Sequence, residues 1–233
     1  MIAGTRVVHP EEINRWGAEI LQISVYRQMK NNLAEMRECA RVCREKDIPY
    51  VVHPVGYSIQ KQEMFNDVLE MAECADLALI LHDEKKDDGS RLTDEDEVHF
   101  RQALEKLRSI TQVSFENATD TSDIKWYWDS YAENITLDIG HIESAGYDSI
   151  EFVKSLDAAT KDKIRFVHIH RNNGLHGGIT DHWPLNRTCR ELQALKQLLK
   201  VKSDVAVILE LNEIEMIGDS LDQLRSLRKE LNI

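Results

Sequence analysis

Eight short apolar runs, each followed by a longer amphipathic segment, constrain this fold more than any other feature. The runs are Ile2–Val8, Glu19–Val25, Tyr50–His53, Leu77–His82, Gln112–Glu116, Ile135–Asp138, Arg165–His168 and Val205–Glu210. Their length suits strands, whereas the segments between them carry apolar residues at helical spacing. Asn32–Lys46 places Leu33, Met36, Ala40 and Cys43 on one side, and Glu63–Ala75 does the same with Phe65, Leu69 and Ala72. Thr93–Ile110 opens on a cap residue and acids and closes on basic residues, the order the helix dipole favours. Asp120–Glu133, Ile150–Ala158, Arg187–Leu199 and Leu221–Leu231 read as the remaining helices, and the first connection, Glu11–Trp16, is short. Strands that alternate with helices predict a parallel sheet, and eight such units predict a closed (β/α)8 TIM barrel in the α/β class. The 233 residues match the length of one such barrel, so residues 1–233 are expected to form a single domain.

Composition narrows the setting. Hydrophobic residues make up 42% of the chain, enough for a sizeable core, yet no apolar run approaches the ~18 residues that span a bilayer. The first residues, MIAGTRVVHPEE, lack the charged start and apolar stretch of a signal peptide. None of Cys39, Cys43, Cys74 and Cys189 forms a CxxC pair, and Cys39 and Cys43 sit one helical turn apart, as core residues do. These features point to a reducing cytoplasm. A net charge of −12 disfavours non-specific binding of polyanions.

The chemistry gathers at the ends of the runs. His53, His82, Glu116, Asp138, His168 and Glu210 close six of the eight. In a barrel the C-terminal strand ends form one face, and active sites are built there. One polar residue closing a strand is ordinary, because strands often end at water. Six histidines or carboxylates at that place on successive strands predict a metal site. The stretch ITLDIGHIESAGYD, Ile135–Asp148, is its centre: the strand ends on Asp138, Gly140 breaks it, and a tight turn presents His141. His182, with Asp181 beside it, lies in a loop on the same face. Mixed histidine and carboxylate ligands suit a divalent transition metal, zinc or manganese above all, and the candidates are numerous enough for one to three ions. His168 and His170 are two apart and point the same way on a strand, so either can be the ligand, with His168 at the strand end preferred. His9, His99 and His176 read as surface residues, Trp126, Trp128 and Tyr131 as packing, and the acidic run Asp83–Asp88 as a solvated loop. Trp183 and Tyr57 lie in face loops within reach of a substrate.

These motifs together resemble the xylose isomerase-like TIM-barrel superfamily, which includes sugar phosphate isomerases and epimerases, the ketose 3-epimerases and endonuclease IV (AP endonuclease family 2). LDIGHIESAGYD is similar to the sixth-strand signature and is nearest the endonuclease IV form. FENATD resembles that enzyme's turn after the fifth strand, FVHIHRNN with DHWPL the seventh-strand region, and VILELNE the last strand. The resemblance implies that Glu116, Asp138, His168 and Glu210 form the metal quartet shared by epimerases and endonuclease. It implies that His53, His82, His141 and His182 are the added histidines of a multi-zinc site, whose remaining acidic ligand falls near Thr180–Asp181.

Two reactions follow from the resemblance. An isomerase or epimerase would act on a small sugar or sugar phosphate through an enediolate. Glu116 and Glu210 would then move the proton, while His141 and Arg171 orient substrate oxygens. The positions of that family's second glutamate and of its arginine are Ser122 and Gly174 in this chain. A hydrolase of the endonuclease IV type would cleave a phosphodiester. The net charge and the lack of basic loops weigh against duplex DNA and leave a small ester. A third expectation is a barrel that binds a metal or a sugar without turnover. The isomerase reading comes first on sequence, with no membrane partner and no statement on assembly.

Overall fold

The computed structural model describes residues 1–118, 122–173 and 181–233. Eight parallel strands close into a barrel in chain order, with the eighth pairing with the first. They are β1 (Ile2–Val7), β2 (Ile20–Tyr26), β3 (Tyr50–Val55), β4 (Leu79–His82), β5 (Val113–Glu116), β6 (Asn134–Asp138), β7 (Ile164–Ile169) and β8 (Ala206–Leu209). Each overlaps the run expected at its place. Helices α1 (Asn32–Glu45), α2 (Gln62–Cys74), α3 (Asp94–Arg108) and α4 (Ile124–Tyr131) follow β2 to β5. Three short helices, α5 (Ile139–Ser144), α6 (Ser149–Ser155) and α7 (Ala158–Lys163), lie between β6 and β7, and α8 (Arg190–Leu199) and α9 (Ile217–Leu231) complete the ring. Among the described residues no helix is long and apolar enough to cross a membrane.

The first unit differs from the rest. A single 3-10 turn, Pro10–Glu12, replaces its helix. The buried Glu12 carboxylate holds the turn by accepting the Val8 and His9 amides at 2.6 and 3.1 Å. Two other expectations are corrected. Gly140 does not end β6 in a tight turn; α5 starts directly after the strand, with Asp138 as its N-cap. The acidic run is solvated only in part. Asp83 accepts the Ala118 amide, and Glu84 accepts from Ser58, the Ile59 amide and Gln60, so two of these acids tie neighbouring face loops together. The beginning of the helix expected over Asp120–Glu133 and the residues Gly174, His176 and Thr180 fall outside the described residues.

The barrel interior is layered. Ile20, Val51, Ala78, Ile80, Phe166, Ala206 and Ile208 fill the lower part as a buried apolar plug. A polar belt lies above it: Ser114 and Thr136 share a hydrogen bond of 2.7 Å, and the Gln22 amide donates to Ser24 and Glu210. Because side chains alternate along a strand, the residue two beyond each plug residue also faces inward. Val51 therefore leads to His53, Ile80 to His82, Phe166 to His168 and Ile208 to Glu210. A second, larger core packs the outer face of the strands against the helices, with Trp128, Phe100 and Phe115 among its members. Gly4 marks the tightest approach of two strands: a β-carbon there would overlap the Ile20 carbonyl oxygen and methyl group. That backbone cannot yield without breaking the β1–β2 pairing. Gly4→Ala should therefore cost about 1–3 kcal/mol or more in urea unfolding, the usual size of core overpacking, and an unchanged midpoint would reject this packing.

Candidate functional site

Asp138 shows how the local sequence builds the site. As the N-cap of α5 it accepts the His141 amide at 2.7 Å through Oδ1. Capping leaves Oδ2 free, buried and without a hydrogen-bond partner. The spacing of three between Asp138 and His141 is thus the spacing of a cap to the first helical turn. Asn117 clamps the pair from β5. Its side chain donates to the Asp138 carbonyl at 2.8 Å and accepts the Asp138 amide at 2.9 Å, while its own carbonyl lies 3.2 Å from His141 Nδ1.

Glu116 is the hub. It is fully buried, and neither carboxylate oxygen has a hydrogen bond. Oε2 lies 3.1 Å from His168 Nδ1, 3.4 Å from His53 Nε2 and 3.7 Å from His82 Nε2, and Oε1 lies 3.4 Å from His141 Nδ1. Glu210 Oε1 is 3.8 Å from His168 Nδ1, and its Oε2 is 3.5 Å from His182 Nε2. Donors 2.0–2.1 Å from one tetrahedral ion stand about 3.4 Å apart, so these separations are the edges of coordination shells. Three groups of donors result: His53, His82 and Glu116; Glu116, Asp138, His168 and Glu210; and His141, His170 and His182.

The imidazoles carry the second mark of ligands. A metal-binding histidine has its other nitrogen pinned by an acceptor, which fixes the tautomer. His53 Nδ1 lies 3.0 Å from the Ile80 carbonyl, His141 Nδ1 faces the Asn117 carbonyl, and His182 Nδ1 is 2.9 Å from Asp181 Oδ1. In His53 and His182 Nε2 remains for an ion, whereas His141 Nδ1 also faces Glu116 and Asp138. The orphaned oxygens and pinned imidazoles together fit a divalent transition metal with nitrogen and oxygen ligands.

The same logic separates His168 from His170. Both are fully buried. His168 stands inside the quartet. His170 Nδ1 instead accepts the His182 amide at 2.9 Å, so a neutral ring carries its proton on Nε2, which faces Asp138 Oδ1 at 3.4 Å. His170 therefore supports the Asp138 carboxylate from behind. Sequence spacing weighed it only as a rival to His168. A signal for it was present in Gly140, where a β-carbon would overlap the His170 ring. Asp181, expected as a ligand, sits behind His182. His182 itself has a left-handed backbone, φ 60°, a strained conformation of the kind found at functional sites.

The expected substrate contacts are scattered. The Arg171 Nε donates to the Pro184 carbonyl at 2.9 Å, and its backbone pairs with that of Trp183 in both directions. Arg171 lines a cleft with Glu143, Tyr147 and Asn186, beside the histidine and carboxylate groups rather than among them. The Tyr57 hydroxyl accepts from Asn32 at 2.8 Å in the loop after β3.

Electrostatics bind the cluster together. Burial pushes the Glu116 and Glu210 carboxyls up, but His168 and the other imidazoles nearby hold both well below the usual range. Asp138 is lowered likewise by His141 and His170 against its burial. Burial alone would depress the histidines, and it brings His82 down to about 4. In His141 and His168 the carboxylates win, raising them to about 10 and about 9.

No family model matches the chain, and no curated protein matches it. Solved structures do. A D-tagatose 3-epimerase-like protein superposes with a TM-score of 0.75 at 16% identity, covering 100% of this chain and 98% of that one. A xylose isomerase domain protein from Planctomyces limnophilus gives 0.66 at 13% identity, over 99% and 96%. A D-psicose 3-epimerase crystallised in the presence of D-fructose gives 0.61 at 12% identity, over 100% of each chain. The chain shares the (β/α)8 barrel fold of these proteins. Within that fold, the donor groups lie at the C-terminal ends of the strands, where barrels of every chemistry keep their active sites.

Two outcomes are expected. In the ion-free protein His141 and His168, raised to about 10 and about 9, hold protons at neutral pH that a metal must displace. Zinc binding at pH 7 should release protons, and affinity should rise with pH, by about tenfold per unit for each proton displaced, until pH 9–10 is passed. Calorimetry in buffers of different ionisation enthalpy checks this, and binding without proton release would contradict it. Gly140→Ala should expel the His170 ring and weaken zinc binding by about 10–100-fold, as loss of an orienting partner does. A zinc titration against a chromophoric chelator measures it.

Proposed function

We propose that this chain is a metal-dependent hydrolase that cleaves a phosphate ester of a small polyhydroxy compound at a multi-ion centre. The observation that carries the reading is that Glu116 belongs to two donor groups at once, while Glu210 reaches from the quartet to His182. A proton shuttle on an enediolate needs one ion. It gives no role to His53 and His82, which share Glu116 with the quartet and face it with ligand tautomers or ligand distances. Clustered ions would supply a nucleophilic water of lowered pKa and clamp the phosphoryl oxygens of an in-line displacement.

The residues have separable parts in that scheme. His53, His82 and Glu116 form one seat, and Asp138, His168 and Glu210 complete the neighbouring one. Glu116 would tie the two seats together, because its Oε2 faces His53 and His82 of one and His168 of the other. His170 and Asn117 hold Asp138, Asp181 holds His182, and Gln22 holds Glu210, so little reorganisation is needed when substrate arrives. Zinc suits the imidazole-rich seats best, with manganese second. The chain's net charge of −12 favours a small ester over duplex DNA.

The isomerase reading stays second because one observation favours it. Glu116 and Glu210 both approach His168, at 3.1 and 3.8 Å, so two carboxylates share the quartet, as a two-base proton transfer requires. The epimerases among the solved structures with this fold keep that chemistry in view. Metal analysis after native purification, together with turnover, separates the two. For the hydrolase, more than one ion per chain is expected. Aryl phosphate mono- or diesters should be cleaved without exchange of carbon-bound protons in deuterated water. His53→Ala and His82→Ala should each lower kcat/KM by about 100-fold or more through the lost seat. One ion per chain, proton exchange on a ketose or ketose phosphate, and indifference to both histidine changes would replace this reading with the isomerase.

A further inference from the structure

Arg6 is an inward-facing cation that the sequence motifs do not include. It pairs in register with Gln22 of β2, and paired residues in a parallel sheet share a face. The Gln22 amide reaches Glu210, so that face is the barrel interior. The β1–β8 register, with Thr5 opposite Leu209, brings Arg6 level with Glu210 itself. Among the described inward residues of the eight strands, Arg6 is the one lysine or arginine at the level of the ligands.

Its partners are unusual for a half-buried guanidinium. Nη1 donates to the Tyr26 hydroxyl at 2.9 Å, and Nη2 to the Leu211 carbonyl at 2.8 Å and to Asn212 Oδ1 at 2.7 Å. All three acceptors are neutral. They aim the fork and leave its charge uncompensated by a hydrogen-bonded carboxylate. An arginine has five N–H donors, and these contacts use three, so Nε and one Nη1 hydrogen are unspent. Tyr26 accepts from Arg6, which turns its own hydroxyl proton to another partner. Asn212 also donates its amide to the His182 carbonyl at 3.1 Å, tying the arginine's support to the strained His182. The nearby carboxylate that feels its charge is Glu210, which makes no hydrogen bond to it, and the fork geometry matches planar anions.

We propose that Arg6, with the Tyr26 hydroxyl beside it, grips an anionic oxygen of the substrate, and that the site therefore selects phosphorylated compounds. The inference rests on the reading of the barrel mouth as a phosphate-ester site and assigns the contact that the sequence placed on Arg171. Arg6 belongs to β1, whose unit lacks a helix and ends in the short turn around Pro10.

The test uses the full-length zinc-loaded protein and inorganic phosphate as the probe. Calorimetry should show phosphate binding, weakened about 10- to 100-fold in Arg6→Gln, the range of one or two charge-assisted hydrogen bonds. Arg6→Lys, which keeps the charge and loses the fork, should fall between. Zinc content and melting temperature are measured on every variant. If Arg6 only braces β1, β2 and β8, the variants will melt lower with phosphate affinity unchanged, which overturns the proposal. Failure of wild type to bind phosphate overturns it as well. Should Arg6→Gln fail to fold, a crystal of the wild type with zinc and phosphate decides, because a phosphate oxygen must lie within hydrogen-bond distance of the guanidinium. The reading of the site as a hydrolase fails separately, through ion count and ester turnover, and leaves the phosphate titration interpretable.

Discussion

A buried carboxylate with no hydrogen bond is the constraint on which the rest of this structure depends. Glu116 closes β5 inside the barrel, with four imidazoles 3.1–3.7 Å from its oxygens. An isolated ionised carboxylate in that position would cost several kcal/mol. It persists because the surrounding strand ends supply positive charge as imidazolium, a charge that a bound cation would replace on the function proposed above. The competition between burial and attraction is visible ring by ring. His82, farthest of the three from Oε2, is governed by burial, whereas His141 and His168, each facing two or more carboxylates, are governed by attraction. Protons and metal ions are thus alternative occupants of the same charge-balancing task.

The elements around Glu116 hold this balance without spending its donors. The Ile80 carbonyl and the side chain of Asp181 take the outer nitrogens of His53 and His182. Asp138 divides its two oxygens, one for the helix α5 and one for the centre. A cap of this kind stabilises a helix by about 0.5–2 kcal/mol, so the geometry that aims a ligand also starts the next element. Removing the carboxylate would loosen both.

Much of this was legible in the sequence, and the gaps have identifiable causes. The eight runs, and the polar residue closing six of them, follow from strand periodicity and from the tendency of barrels to gather chemistry at one face. Periodicity cannot report what lies behind a side chain. Asp181 adjoins His182 in sequence, and only the geometry sets its carboxylate against the Nδ1 of that ring. His170 was visible as a histidine on the inward register, but its role depends on an amide twelve residues away and on the missing β-carbon of Gly140. Gly140 itself reads as a strand breaker because glycine usually is one; here it is kept for space within a helix. Arg6 lay in an expected strand, unmarked by any motif, since its meaning comes from the closure of β1 on β8. Asp83 and Glu84 read as solvated because runs of charge usually are, whereas their partners are amides and side chains of neighbouring loops.

The plug and the centre are written in one pattern. Four inward files carry an apolar residue and, two positions later, a donor: Val51 and His53, Ile80 and His82, Phe166 and His168, Ile208 and Glu210; Glu116 and Asp138 instead follow Ser114 and Thr136 of the polar belt. A shift of a strand by one residue would turn both outward together. The apolar plug therefore specifies the register of these four donors, and the Ser114–Thr136 hydrogen bond aligns the two strands that carry Glu116 and Asp138. The reverse does not hold, since the donors repel one another without protons or ions and cannot set the register themselves. The direction of dependence runs from the plug, through the polar belt of Gln22, Ser114 and Thr136, to Glu116. This ordering explains how a cluster so costly in isolation can be kept at the mouth of the barrel.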